Sequence, residues 1–293
     1  MPSQKNYSAF ARIKKEDLAF PRLLREIPNP PSSLYIWGEL NLNSPAVAVV
    51  GTRRATREGM ATARLLGKEL AEQGIIVVSG LALGIDQAAH WGALDGNGRT
   101  IAVLGSAIDD IYPSQNKKLA EEIIKQGGAV ISEYPPGTPS YPLNFLLRNR
   151  IISGLSLGVL VIEAPLQSGS LVTAQHAVEQ NRDVFVVPGR LRDHNYTGSH
   201  RLIRSGAALV TSAEDICQEL NLPFYKPEEL RLKKTKLTPQ QDLVLKFIQA
   251  AGRPVSIDKI IEETKIESQF VNQIVAFLLI NDIIKEESGK YNI

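Results

Sequence analysis

Arginines set immediately after small residues are the features of this sequence best suited to chemistry. In Gly51-Thr52-Arg53-Arg54 an apolar run, Ala46 to Val50, stops on a glycine and two arginines follow at once. A turn between a buried strand and a helix aims backbone N–H groups and the helix dipole at an anion, and an arginine there adds a bidentate phosphate donor. Gly51, Thr52 and Arg53 are therefore a candidate anion site. The plainer alternative is a turn glycine beside solvated arginines. Ser79 and Gly80 open a second such loop, Ser79-Gly80-Leu81-Ala82-Leu83-Gly84-Ile85-Asp86, in which Asp86 is placed to complement a first-turn helix dipole. Gly105 opens a third, which carries Tyr112 for stacking or for packing, and Lys117 and Lys118 follow on the next helix.

The densest segment runs from Asn144 to Gly154 and reads as one helix. Phe145 beside Arg148 and Arg150 offers the two elements of single-strand binding, a stacking platform and neutralisation of the backbone. A core phenylalanine with arginines paired to Glu133 or Glu163 fits equally well. Ser168-Gly169-Ser170, opening the following helix, is a further phosphate cradle.

Other chemistries find little support. There is no Gly-x-Gly-x-x-Gly fingerprint, no Walker loop and no Gly-x-Ser-x-Gly elbow. The four histidines, His90, His176, His194 and His200, have no spacing that suggests a shared metal, and Cys217 is the single cysteine. Cys217 reads as a small core residue. Glu133 and Glu163 stand at strand ends as a possible acid and base, or as anchors for arginines. No catalytic residue, metal or cofactor is expected. The net charge of +2 announces no nucleic-acid binder by itself, so the local placement of arginines has to carry the argument. No stretch has the roughly 20 apolar residues of a membrane span, and the N-terminal residues lack the apolar core of a signal peptide. A cytoplasmic location is expected.

The elements that must position these residues follow from the apolar runs. Runs ending near Gly51, Gly80, Gly105, Glu163 and Gly189 are apolar at every position rather than alternating. Strands buried on both faces look like this, and they imply a mostly parallel, doubly wound α/β sheet whose ligands bind outside the carboxyl ends of the strands. Helices are expected at Thr62 to Gln73, Gly84 to Leu94, Ser114 to Gln126, Ser170 to Gln180 and Ser199 to Ser205. Leu34 to Gly38 reads as a strand at a sheet edge. Past residue 220, prolines and the basic run Arg231 to Lys236 lead to three helices, opened by a Thr238 cap, and a terminal hairpin turning at Ser288-Gly289. That order suggests a winged helix. The expected division is an N-terminal segment 1–26, a Rossmann-like domain 27–220, a linker 221–237 and a winged-helix domain 238–293.

With the loops assembled, the chain resembles the DNA-processing protein A family (DprA/Smf). The resemblance runs through Gly51-Thr52-Arg53, Ser79 to Asp86, Tyr112-Pro113 with Asn116, and Ser132 to Gly137. It continues through Asn144-Phe145 with Arg148 to Leu155, Glu163-Ala164 with Ser168 to Leu171, Val187-Pro188-Gly189, and Leu202-Ile203 with Gly206-Ala207. It implies an extended Rossmann-like domain that binds single-stranded DNA, forms homodimers, protects incoming DNA and loads the recombinase RecA onto it in natural transformation, without catalysis. Motif matching places the DNA pocket on Arg53 with Gly51 and Thr52, on Ser79 and Gly80, on Phe145 as a base-stacking aromatic, and on Arg148 and Ser168-Gly169-Ser170. Members often carry a lysine after the Tyr-Pro pair or just ahead of the phenylalanine. Ser114 and the Tyr141-Pro142-Leu143 stretch stand there in this chain, and Lys117 or Lys118 is the substitute. Two other classes remain in view. One is an enzyme cleaving nucleotide N-glycosidic bonds, against which the missing Pro-Gly-Gly triplet counts. The other is a duplex-reading regulator built on the tail, whose third helix offers only Gln269, Asn272 and Gln273 to base edges.

Overall fold

The computed structural model of the protein describes residues 10–226, 237–280, 283–287 and 289–292. The chain divides into two compact units, Met1–Phe224 and Tyr225–Ile293. In the first, the apolar runs are strands of one sheet: β1 (Ala11–Lys14), β2 (Ser33–Gly38), β3 (Ala46–Val50), β4 (Ile76–Ser79), β5 (Thr100–Leu104), β6 (Ala129–Ser132), β7 (Gly158–Val161), β8 (Asp183–Val186) and β9 (Ala208–Leu209). Their order is β1-β2-β6-β5-β4-β3-β7-β8-β9. From β6 through to β9 every pairing is parallel, whereas β2 runs antiparallel to both β6 and β1. Every residue of β3 to β7 is buried, which is why those runs show no alternation.

Helices cover both faces. Ala48, Val50, Val78, Val103, Ile131 and Val159 pack on Leu24 of α1 (Arg22–Arg25), Ile151 and Ile152 of α6 (Asn149–Gly154), and Ala174 and Ala177 of α7 (Gly169–Glu179). The alternate strand residues Val47, Val49, Val77 and Leu160 meet α2 (Arg57–Glu72), α3 (Ile85–Asp95) and α9 (Ala213–Glu219), where Cys217 is fully buried. Leu119, Ala120 and Ile123 of α4 (Lys117–Lys125) extend that layer over β5 and β6. The arrangement is an α/β, Rossmann-like, doubly wound fold.

Three expectations need correction. β2 is not an edge strand, because β1 lies outside it, pairing Ala11 with Ile36 and Lys14 with Ser33. Residues from 11 onward thus belong to the sheet unit, and Phe20 and Leu24 enter its core. The expected helix from Asn144 to Gly154 is two short ones, α5 (Pro142–Leu147) and α6, because the ladder is interrupted at Arg148. There the Ile151 N–H bonds the Arg148 carbonyl three residues back, at 2.8 Å. Finally, α2 begins at Arg57 rather than Thr62, because the Thr56 hydroxyl accepts from the Gly59 N–H and caps it there.

In the second unit α10 (Pro239–Ala251), α11 (Ile257–Thr264) and α12 (Ser268–Ile280) enclose Val244, Leu245, Ile260, Val271, Val275 and Leu278. Thr238 and Gln241 form the capping box that opens α10. β10 (Val255–Ser256), β11 (Lys285–Glu287) and β12 (Lys290–Asn292) make a small antiparallel sheet in the order β10-β12-β11. Ser288 of the expected turn, and the basic run of the expected linker, lie outside the described residues.

Candidate nucleic-acid interface

The carboxyl ends of β3, β4, β5 and β7 open into a cavity of about 630 Å³. Gly51, Thr52, Arg53 and Arg54 line it from the β3 turn, Phe145 and Leu146 from α5, Arg148 from the junction of α5 and α6, Asn149 from α6, and Ser168, Gly169 and Ser170 from the start of α7. Among the described residues its only acidic lining residue is Asp86, itself buried. A concave site rimmed by arginines with one sunken carboxylate suits an anionic ligand.

Phe145 sits at the mouth, half-buried. The guanidinium carbon of Arg53 lies 5.9 Å from its ring centre, and the Tyr112 ring packs against it at 5.3 Å and 58°. Both neighbours are exposed, Tyr112 at 53%. Gly105 makes this position possible, because a Cβ there would stand 2.8 Å from the Phe145 Cα. Gly105 therefore supports the aromatic from beneath rather than lining the cavity.

Arg148 is of another kind. It is 4% exposed, and its Nη1 donates to the Gly80 carbonyl at 2.8 Å and to the Val103 carbonyl. Its Nε reaches Asn149 Oδ1 at 3.3 Å. Gly80 has to lack a side chain, since a Cβ would meet Arg148 Nη2 at 2.5 Å. Burial lowers the Arg148 pKa to about 10, with Asp86 opposing and Arg53 assisting the drop, so the group stays charged at neutral pH. Burial likewise raises Asp86, against the pull of Arg148 and of the N–H groups of Ala82 and Gly80. The Asp86 carboxylate accepts from Gly80 at 3.1 Å and Ala82 at 3.4 Å, so it shapes the β4 turn rather than complementing the helix dipole alone. Asn116, fully buried, clamps the same turn by donating to the Leu81 carbonyl at 2.8 Å.

The remaining expected residues lie elsewhere. Ser79 is buried and its hydroxyl donates to the Val49 carbonyl at 2.6 Å, tying β4 to β3. Arg150 Nη2 donates to both carboxylate oxygens of Glu133, at 2.8 and 2.9 Å, while its Nε and Nη1 donate to the Asn29 and Leu147 carbonyls. The pairing alternative drawn from the sequence describes it, and it does not line the cavity. Lys117 begins α4, exposed and outside the lining. Glu163, fully buried, accepts from the Thr56 N–H at 2.9 Å, the Thr56 hydroxyl and the Asn195 amide at 3.0 Å. Tyr196 beside it is pushed up to about 12 by burial and then by that carboxylate. His90 is buried with Nδ1 2.7 Å from the Thr100 hydroxyl, which itself donates to Val77, and burial holds it neutral with a pKa of about 3. Sequence reasoning did not single out Asn195, which joins Glu163 to the Arg54 carbonyl. Its place inside the family-like region was the only available signal.

Fold and site together define a Rossmann-like α/β unit with an arginine-rimmed cavity at the carboxyl edge of its sheet. The family model described as DNA recombination-mediator protein A matches residues 11–221. The chain belongs to this DprA/Smf family. It is 44% identical over 229 residues to protein Smf of Escherichia coli, covering 78% of this chain and 61% of that protein. It is 43% identical over 216 residues to DNA processing protein DprA of Streptococcus pneumoniae, covering 73% and 76% respectively. The chain spans about half, 53%, of protein Smf of Synechocystis. The solved Streptococcus pneumoniae DprA structure aligns with a TM-score of 0.69 at 42% identity, over 75% of this chain and 76% of that one. DNA processing protein A of Helicobacter pylori, described for its single-stranded DNA binding mode, aligns with a TM-score of 0.65 at 32% identity, over 72% and 95%.

Proposed function

We propose that the protein binds single-stranded DNA at the carboxyl edge of the sheet and acts without catalysis. The observation that carries this is the pairing of an exposed arginine, Arg53, with a half-exposed aromatic, Phe145, over a cavity that α7 enters with Ser168-Gly169-Ser170. A base stacks on Phe145, Arg53 meets the adjoining phosphate, and the start of α7 at Gly169 faces a second one. Arg148, sunk beneath them, positions the β4 turn and α5. Both carboxylates considered as acid and base are engaged, Glu133 by Arg150 and Glu163 by Thr56 and Asn195, which favours the binding reading over N-glycosidic cleavage.

The family supports a role in protecting incoming DNA and delivering it to RecA during transformation, by a cytoplasmic homodimer. The second unit, with three helices and a hairpin, fits a winged-helix accessory module. Its α12 carries no charged residue, which fits weak or no duplex contact. The test is Arg53→Ala in an anisotropy titration with oligo-dT. A loss of about 30-fold or more with an unchanged melting curve is expected, since a charge-assisted contact contributes about 2 kcal/mol or more. Unchanged affinity would remove Arg53 from the site.

A further inference from the structure

The turn after β8 continues Val187-Pro188-Gly189 into Arg190-Leu191-Arg192-Asp193. Arg190 and Arg192 are exposed, Leu191 between them is 88% exposed, and neither guanidinium has a partner among the described residues. The one acid in the turn is occupied, because Asp193 accepts from the Asn195 N–H at 2.9 Å and caps the short helical turn His194–Tyr196. The turn is firmly built. A ring nitrogen of His200 lies 3.1 Å from the Gly189 carbonyl oxygen, and Tyr196 is buried behind it. It is also joined to the cavity wall, since the Asn195 amide donates to the Arg54 carbonyl at 3.2 Å. β3, β7 and β8 are consecutive parallel strands, and at about 4.8 Å per strand the β8 turn lies roughly 10 Å along the edge from the Arg53 turn.

We infer that Arg190, Leu191 and Arg192 form a second contact site for the same DNA strand, the arginines on phosphates and the leucine against a base. The strand then runs from Phe145 past Arg53 and Arg54 to the β8 turn. This rests on the single-stranded DNA reading above. A pocket of one or two nucleotides becomes a track, and affinity becomes length-dependent.

The experiment compares the full chain, Arg190→Ala/Arg192→Ala and Arg190→Lys/Arg192→Lys, with oligo-dT of about 2 nucleotides, too short to reach from one turn to the other, and of about 20 nucleotides. Two lost phosphate contacts lower the single-strand salt slope by about 1.4, which corresponds to about 70-fold in affinity at 50 mM salt and about tenfold at 200 mM. That loss is expected for the long oligomer alone, with the melting curve unchanged and most affinity kept by the lysine pair. Equal binding of wild type and double alanine variant at both lengths overturns the inference while leaving the cavity reading standing. A matching loss for both lengths overturns it too, since the arginines would then act on the cavity itself. If the wild type binds neither oligomer, reading and inference fall together.

Discussion

Replacing Arg148 with alanine separates a residue that touches DNA from one that holds the site in shape. The guanidinium is 4% exposed, serves the Gly80 and Val103 carbonyls, and offsets the buried charge of Asp86. Removing it strands a buried carboxylate and withdraws a donor from two carbonyls, a change that costs about 3–5 kcal/mol. For a unit of this size each kcal/mol is worth about 2–4 °C, so the melting temperature should fall by roughly 6–20 °C. The deficit should narrow as pH falls. Asp86 already has a raised pKa, losing Arg148 raises it further, and protonation removes the uncompensated charge. Affinity for oligo-dT should drop because the β4 turn and α5 shift, whereas its dependence on salt stays as in the wild type. The assays are thermal melting followed by circular dichroism at several pH values, and anisotropy titrations at two salt concentrations. A variant that melts within about 2 °C of wild type, yet shows a salt slope lowered by about 0.7, would make Arg148 a phosphate contact and refute the reasoning.

Other outcomes follow from the same geometry. Phe145→Ala should weaken oligo-dT binding by about 1–3 kcal/mol, or 5- to 150-fold, while Phe145→Trp retains it; equal loss in both variants would argue against stacking. His90, held near a pKa of 3 against 6.5 in the unfolded chain, leaves the unfolded state binding more protons between those values. Its contribution is intact above pH 6.5 and erodes on acidification by at most about 1.4 kcal/mol per pH unit, so urea midpoints should fall faster for wild type than for His90→Asn between pH 6.5 and 4.5. A chain ending at residue 226 should bind oligo-dT within about threefold of the full protein. A larger loss would give the second unit a direct part in DNA contact.

Much of the fold was legible because strands buried on both faces leave uninterrupted apolar runs, and the ends of those runs predicted where the cavity opens. β1 was not, since Ala-Arg-Ile-Lys is too short and too charged to stand out, and without it β2 looked like an edge. The break at Arg148 has no signature in helical periodicity. It arises because a guanidinium must reach two carbonyls at the ends of β4 and β5, which is tertiary information. Phe145, Arg53 and Ser168-Gly169-Ser170 converge as their positions at strand and helix ends suggested. Arg148 and Arg150, two positions apart, could not be told apart by type. One is buried on backbone carbonyls and the other is engaged by Glu133.

Cys217 has a practical consequence. It is the chain's single thiol, sealed between α9 and the sheet, and burial pushes its pKa up, so both access and thiolate fraction are low in the folded state. An alkylating reagent therefore reaches it only when α9 lifts away or the unit opens. Its labelling rate, compared with that of the denatured chain, measures the free energy of that opening without any engineered probe. The same silence makes the protein a clean background for a fluorophore. A cysteine introduced at exposed Leu191 would be modified selectively and would place a dye on the β8 turn.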